Sequence, residues 1–236
     1  MLNNQSKIQR IIENSTKRQA EQQKEFYLFG KWFYVKDPFI TPIDVKSVIQ
    51  ELENKIPSSL FEEVDEIFVG EFDFLTDKGL EALFKDGAIY ITNFISTEVD
   101  LVENIIHEVG HSLESRFGRT IYGDQLLAKE FVKKRNSLKS RMNQEGYETT
   151  TGLNGPLDFQ EIEYDEGFDE WLFKGIGYER LNPLLVGIFP SPYAVTSLRE
   201  YWSVGFEDYF VGDREYLKRV SPILFNKIEE VITDEY

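Results

Sequence analysis

The sequence contains no cysteine and only two histidines among its 236 residues. The absence of cysteine excludes disulfide bonds, thiolate catalysis and every metal site that needs a thiolate ligand. Any metal ion must therefore be held by histidine, aspartate or glutamate side chains. A site that needs two histidines would use the whole supply of the chain.

Long apolar runs are also missing from the sequence. No stretch approaches the ~18 uncharged apolar residues that indicate a membrane-spanning helix. The start of the chain is polar and contains no hydrophobic signal region. We therefore expect a protein that is cytoplasmic as synthesised and has no membrane partner.

Basic residues are few relative to acidic ones, with 26 Lys and Arg against 42 Asp and Glu and a formal net charge of −16. A surface of this charge repels the phosphates of nucleic acids and of anionic lipids. Because 41% of the residues are hydrophobic and 14% are aromatic, the chain has enough apolar material for a sizeable core. We expect a globular protein that does not bind nucleic acid.

Hydrophobic periodicity predicts strands in the first half of the chain and mainly helices in the second half. An aromatic run around Gly30 and Lys31 predicts a hairpin or one bent strand, and two further short runs are typical of strands. The predicted strands lie at 26–35, 66–70 and 87–92. The predicted helices lie at 3–24, 42–56, 97–116, 126–142, 196–211 and from Pro222 onward. Together these elements predict an α+β fold.

The order of the elements predicts a polar N-terminal helix at 1–24 and a single domain at 25–236. We expect this domain to have two lobes. The first, 25–117, contains a small mixed sheet and the helix of 97–116, and the second, 118–236, is mainly helical.

The predicted helix of 97–116 contains both histidines in the pentapeptide His107-Glu108-Val109-Gly110-His111. Residues four apart on an α-helix project from one face about one turn apart, close enough to bind one Zn²⁺. By chance, two histidines would take this spacing with a glutamate after the first only about 0.1% of the time. The pattern therefore predicts a zinc site with Glu108 beside the metal ion.

A catalytic zinc site uses three protein ligands and keeps a fourth position open. With no further histidine and no cysteine, the third ligand has to be a carboxylate. Glu114, three residues after His111, could approach from the same helix. Glu200 and Glu207, which share one face of the predicted helix of 196–211, could approach from across a cleft.

The pentapeptide and the segment around Glu200 together resemble the zincin metallopeptidases whose third ligand is glutamate, in particular the group of anthrax lethal factor and the bacterial Pro-Pro endopeptidases. In that group a tyrosine lies seven residues before the ligand glutamate, in a segment similar to Tyr-Ala-x-x-x-x-x-Glu-Phe-Phe-Ala-Glu-x-Phe. The same spacing is reproduced here by Tyr193-Ala194, Glu200-Tyr201-Trp202-Ser203 and Phe206. The resemblance covers two patches, 88–116 and 191–210.

The resemblance implies a zincin-like fold and a zinc-dependent endopeptidase that hydrolyses protein or peptide substrates. It implies that His107, His111 and Glu200 bind Zn²⁺ and that Glu108 is the general base. It also implies that the hydroxyl of Tyr193 stabilises the oxyanion, although an aromatic next to a proline is also typical of plain packing.

The chain departs from the family pattern at Val204, where the family often has a second acid. Glu207, three residues later, is the acid that could take its place. The segment 118–190 is longer than the small peptidases of the group need, and we interpret it as an insertion that shapes the cleft.

We expect the strand of 87–92 to lie at the edge of the sheet, with a peptide substrate adding antiparallel to it. The substrate-binding residues predicted in this way are Ala88, Ile89, Tyr90 and Ile91. The acidic charge of the chain predicts a preference for basic or neutral peptides.

Two alternatives compete with a peptidase. The first is an interaction or structural protein that binds zinc but does not cleave, although such a site has no use for an unliganded Glu108 and would close its fourth position. The second is a helix that binds no metal and simply packs its histidines. The metal content of the purified protein distinguishes them.

Overall fold

The computed structural model describes residues 24–234. The predicted helix of 3–24 falls almost entirely outside the described residues. All statements below concern the described part of the chain.

One mixed sheet of five strands forms the first half of the fold. The strands are β1 (Glu25–Leu28), β2 (Lys31–Val35), β3 (Glu66–Gly70), β4 (Ala82–Lys85) and β5 (Ala88–Thr92). Their order across the sheet is β1-β2-β3-β5-β4, with parallel pairing of β2 to β3 and of β3 to β5 and antiparallel pairing at both ends. The predicted strands at 66–70 and 87–92 are confirmed.

Of the two structures predicted around Gly30, a hairpin and one bent strand, the hairpin is the one that forms. Phe29 and Gly30 have φ values of 50° and 78°, so the two-residue turn between β1 and β2 has the left-handed backbone that matches the twist of paired strands. Asp86 and Gly87 form a second turn of the same kind, with φ values of 53° and 82°, between β4 and β5. This second turn pairs β4 with β5.

The expectation that the strand of 87–92 lies at the edge of the sheet is wrong. β5 is paired with β3 on one side and with β4 on the other, so β4 is the edge strand. The reason is the Asp86-Gly87 turn, which folds the preceding residues back along β5. The short run of β4 carries too little periodic signal for its pairing to be read from the sequence.

Nine α-helices are described in addition to these strands. They are α1 (Val45–Lys55), α2 (Asp73–Thr76), α3 (Glu98–Tyr122), α4 (Leu126–Gln144), α5 (Glu166–Glu170), α6 (Tyr178–Leu185), α7 (Leu198–Val211), α8 (Arg214–Val220) and α9 (Pro222–Asp234). The predicted α+β fold with a small mixed sheet is confirmed. No helix in residues 24–234 combines the length and apolar character that a membrane crossing requires.

The core lies between the sheet and the helices. Phe33, Ile67 and Ile89 stand side by side on β2, β3 and β5 and are fully buried on the helical side of the sheet. Strand residues alternate between two faces, and this alternation places one apolar row toward α1 and α3.

α3 begins as predicted and ends later than predicted. The side chain of Thr97 accepts a hydrogen bond from the backbone of Asp100, whose own carboxylate accepts one from the backbone of Thr97. The buried Phe117 and Ile121, on either side of Gly118, continue the apolar stripe. Because this burial outweighs the low helix propensity of one glycine, the helix reaches Tyr122.

α4 is less solvated than its basic sequence suggests, because Lys134 and Arg135 are buried. The guanidinium of Arg135 donates hydrogen bonds to the carbonyl oxygens of Val195, Thr196 and Glu161. Arg135 therefore links α4 to the loop that contains Glu161 and to the turn that leads into α7.

α3 and α7 cross at a close contact that positions the candidate site. A Cβ atom on Gly110 would lie 3.1 Å from Oγ of Ser203, which is tighter than most contacts that a Cβ atom makes, so glycine suits this close approach. The indole of Trp202 donates a hydrogen bond to the carbonyl oxygen of Gly110 at 2.8 Å. Ser203 and Trp202 therefore help to set the distance of α7 from the two histidines of α3.

Candidate metal centre

The two histidines lie on one face of α3, as their spacing predicted. The ring centroids of His107 and His111 are 5.0 Å apart, and both side chains are largely buried. An α-helix brings residues four apart to neighbouring positions, which explains this arrangement without any help from the rest of the fold.

Glu200 of α7 meets both rings from across the cleft. Its Oε2 atom lies 3.1 Å from Nε2 of His107 and 3.3 Å from Nε2 of His111. Ligand atoms of the three side chains lie within 4.8 Å of one another. Of the three carboxylates left open by the composition, Glu200 is the one placed between the two Nε2 atoms.

The other nitrogen of each ring is held by a second carboxylate. Nδ1 of His107 lies 3.1 Å from Glu207, and Nδ1 of His111 lies 2.7 Å from Glu114. A proton on Nδ1 that is donated to a carboxylate leaves the Nε2 lone pair free, as in zinc sites where a carboxylate orients the ligand histidine. Glu114 and Glu207 are therefore placed to support the site rather than to complete it.

Arg199 extends this support on the side of Glu114. Its Nε atom donates a hydrogen bond to Oε2 of Glu114 at 2.8 Å. Burial raises the pKa of Glu114, but the hydrogen bonds from His111 and Arg199 outweigh burial and leave the pKa below its usual value. Glu114 is thus held ionised between a cation and a ring nitrogen.

The electrostatics of the site favour positive charge. Burial lowers the pKa of His107, but hydrogen bonds with the carboxylates of Glu200 and Glu207 raise it to about 10. Burial likewise lowers the pKa of His111, and hydrogen bonds with Glu114 and Glu200 raise it to about 9. A divalent cation among the same groups would satisfy the same carboxylates, so the donor set of two imidazoles and one carboxylate fits Zn²⁺.

Glu108 lies beside the three candidate ligands and is only 5% exposed. Its Oε2 atom accepts a hydrogen bond from the backbone N–H of Phe84 in β4 at 2.6 Å. Burial raises the pKa of Glu108 despite the opposing charges of His111 and His107. A raised pKa makes a carboxylate a stronger proton acceptor than an ordinary glutamate.

Tyr193 lies in the short 3₁₀ turn Tyr193–Val195 before α7. Its ring centroid is 6.0 Å from that of His107. Burial, and then the charges of Glu200 and Asp169, raise the pKa of Tyr193, so that its hydroxyl keeps its proton. The structure thus brings Tyr193 to the site that the resemblance assigns to it.

The predicted substrate-binding residues Ala88, Ile89, Tyr90 and Ile91 do not lie at an open edge. They belong to β5, whose backbone pairs with strands on both sides, and Ile89 and Ile91 are fully buried. The edge position on which this prediction rests is wrong, because the edge belongs to the other strand of the hairpin.

β4 is the strand that borders the candidate site. In an antiparallel pair, the backbone groups of alternate residues point away from the partner strand. The N–H group of Phe84 points away from β5, toward Glu108, and the backbone groups of Ala82, two residues earlier, share that direction. The open edge of the sheet therefore runs next to Glu108.

Some contributors to the site could not be read from the sequence. Glu207 was marked by its spacing of seven from Glu200, but its contact with His107 depends on how two helices cross. In the sequence, only its position next to Glu200 indicates a role for Arg199 in the site. No sequence feature indicates a role for the backbone N–H of Phe84.

Comparison of the chain with protein-family models finds no match. Comparison with curated proteins finds none either, and no solved structure is similar to it at the level that would count as a match. A function for this chain is therefore supported by the geometry of the site and by the resemblance of its two motifs.

Proposed function

We propose that the protein is a zinc-dependent endopeptidase with a zincin-like fold. The observation that carries this proposal is the meeting of His107, His111 and Glu200 beside Glu108, a carboxylate outside the ligand set. A site built only to hold a structural metal would have no use for such a carboxylate.

The candidate ligands would hold one zinc ion through the two Nε2 atoms and the Glu200 carboxylate. A zinc ion bound there supplies a Lewis acid that polarises the scissile carbonyl and lowers the pKa of a water molecule at the open position. Glu207 and Glu114 orient the two imidazoles through their Nδ1 atoms.

Glu108 acts as the general base in this proposal. Its carboxylate accepts a proton from the attacking water and passes it to the nitrogen of the leaving amine. The hydrogen bond from Phe84 holds Oε2, so that Oε1 is the atom left to take the proton. The raised pKa of Glu108 makes its carboxylate a stronger proton acceptor than an ordinary glutamate.

Tyr193 donates a hydrogen bond from its hydroxyl to the oxyanion that forms on the scissile carbonyl. Two features support this role: the closeness of Tyr193 to His107 and a raised pKa that keeps the proton on the hydroxyl. The guanidinium of Arg135 donates hydrogen bonds to the carbonyl oxygens of Val195 and Thr196, and these bonds fix the turn that carries Tyr193.

A peptide substrate adds to the edge strand β4 in this proposal, instead of to β5. The supporting features are the open side of β4 and its contact with Glu108 through Phe84. Strand addition would bring an extended peptide past the general base and the candidate ligands.

A zinc-binding protein without catalytic activity is the second candidate. It is favoured by the ordered support around the histidines, which a structural site would also use. Unlike the peptidase, a zinc-binding protein of this kind has no chemical role for the Glu108 carboxylate.

Zinc content and cleavage of a diverse peptide library, measured for wild type and Glu108→Ala, test the proposal. We expect about one zinc per chain in both proteins, with cleavage only by the wild type. Zinc in both proteins with no cleavage by the wild type would favour the non-catalytic alternative. A wild type that holds no zinc would overturn both candidates.

A further inference from the structure

A groove of about 780 Å³ runs along the solvent-facing side of α4. Its lining includes the apolar side chains of Ala128, Val132 and Leu198 and the polar side chains of Asn136 and Ser137. The groove therefore offers apolar contact together with hydrogen-bonding groups, which is the combination that an extended peptide segment needs.

The charge of this groove is opposite to the charge of the protein as a whole. Lys129 and Lys133 are the only charged residues among the described residues that line it. Both are exposed, and within residues 24–234 neither side chain is joined in an ion pair. Because like charges one helical turn apart repel each other, a carboxylate bound between these two lysines relieves that repulsion.

One acidic residue beside the lining is turned away from the two lysines. Glu161, next to the lining residue Ile162, turns its carboxylate back to the backbone N–H groups of Ile162 and Glu163. The groove therefore remains a positive strip on a chain with a formal net charge of −16.

One end of the groove lies beside the candidate metal centre. Tyr122, in the lining, is close enough to Glu114 for that charge to add to the effect of burial in raising the pKa of Tyr122. Glu114 itself contacts His111, so a single side chain separates this end of the groove from a candidate ligand.

We propose that the groove binds an acidic segment of the protein substrate, away from the bond that is cleaved. The inference rests on the proposed peptidase function and adds a substrate class, namely proteins in which a segment separate from the scissile bond has Asp or Glu interspersed with apolar residues. The carboxylates around the metal centre favour neutral or basic residues at the scissile bond, whereas Lys129 and Lys133 attract acidic residues further along the same chain.

Direct binding of a peptide probe tests this assignment without any need for cleavage. The probe is a short fluorescein-labelled peptide of glutamate and leucine, and its two counterparts carry glutamine or lysine in place of glutamate. Fluorescence anisotropy is measured with the zinc-loaded Glu108→Gln protein. We expect the acidic probe to bind about tenfold more tightly than the glutamine probe, and to lose this advantage at high salt.

Two variants of the groove and one matched control locate the binding. Lys129→Glu with Lys133→Glu reverses the charge, and Ser137→Trp fills the groove without changing charge. Lys46→Glu with Lys78→Glu makes the same change of charge at exposed lysines elsewhere. We expect the first two variants to weaken binding of the acidic probe about tenfold, and the control to leave it within about twofold. Thermal melts establish that each variant is folded.

The outcomes separate the groove from the peptidase proposal. Equal binding of the three probes, or unchanged binding in both groove variants, overturns the inference even if the wild type cleaves peptides. Cleavage kinetics add a second arm, in which an acidic extension lowers the KM of a cleaved peptide for the wild type but not for the charge-reversed variant. If the acidic probe binds in the groove and the zinc-loaded wild type cleaves no peptide, the role in substrate binding is overturned together with the proposed function.

Discussion

The carboxylate of Glu207 lies 3.1 Å from Nδ1 of His107, although exactly one hundred positions separate the two residues in the chain. This contact occupies the ring nitrogen that faces away from Glu200, and so fixes which nitrogen is presented to a metal ion. In the resembled family a second acid often lies four residues after the ligand glutamate. Here that position is Val204, and an acid three residues further along α7 makes the contact.

Replacing Glu207 should weaken metal binding without removing a ligand. We expect Glu207→Ala to reduce zinc affinity about 10- to 100-fold, because the imidazole of His107 loses the partner that orients it. Competition with a chromophoric zinc chelator measures the change. Glu215→Gln, at an exposed position on α8, serves as control, and equal affinity in the Glu207 variant and the wild type would contradict the assigned role.

Two glycines of α3 should respond in opposite ways to the same substitution. Gly110→Ala should destabilise the protein by roughly 1–3 kcal/mol, because its Cβ would lie 3.1 Å from Oγ and 3.2 Å from Cα of Ser203. Gly118→Ala should stabilise it by roughly 0.5–1 kcal/mol, because no atom lies within 4 Å of the added Cβ and alanine favours the helix. Urea unfolding of both variants checks the signs, and a stabilised Gly110→Ala variant would show that the two helices can move apart without cost.

Arg135→Met should lower the free energy of unfolding by about 3 kcal/mol. The substitution keeps much of the side-chain volume but leaves the buried carbonyl oxygens of Val195 and Thr196 without their donor. Lys133→Met, at the neighbouring exposed position of α4, is the matched control and should change stability little. The prediction fails if urea unfolding gives the two variants the same midpoint.

The stability of the protein should depend on pH through Asp208. Burial, reinforced by the negative charges of Glu207 and Glu103, raises the pKa of Asp208 from 3.8 to about 7. Between these two values the folded chain holds a proton that the unfolded chain has released, so the contribution of Asp208 to stability falls as the pH rises from about 4 to about 7. The contribution of Asp208 to stability is fully present below its unfolded-state pKa of 3.8.

Asp208→Asn should remove this dependence. We expect the variant to be more stable than the wild type at pH 8 and to differ little from it at pH 4, in urea unfolding at both values. Asp77→Asn, at an exposed aspartate, controls for the loss of one negative charge. A variant that is no more stable than the wild type at pH 8 would contradict the assignment.

Several parts of this protein follow from its sequence alone because they depend on contacts between near neighbours in the chain. The spacing of His107, Glu108 and His111 places both imidazoles on one helical face whatever surrounds the helix. The turn at Gly30 and the capping box at Thr97 are equally local, and both lie where the sequence predicted them. Composition had already restricted the third ligand to a carboxylate.

Tertiary structure decided which residues meet across the cleft. The choice of Glu200 to face both Nε2 atoms, and of Glu114 and Glu207 to hold the Nδ1 atoms, depends on the crossing of α3 and α7. The edge position of β4 depends on which strands pair in the sheet, and a periodic pattern does not report pairing. These features arise from packing between segments far apart in the chain, so no local spacing in the sequence could determine them.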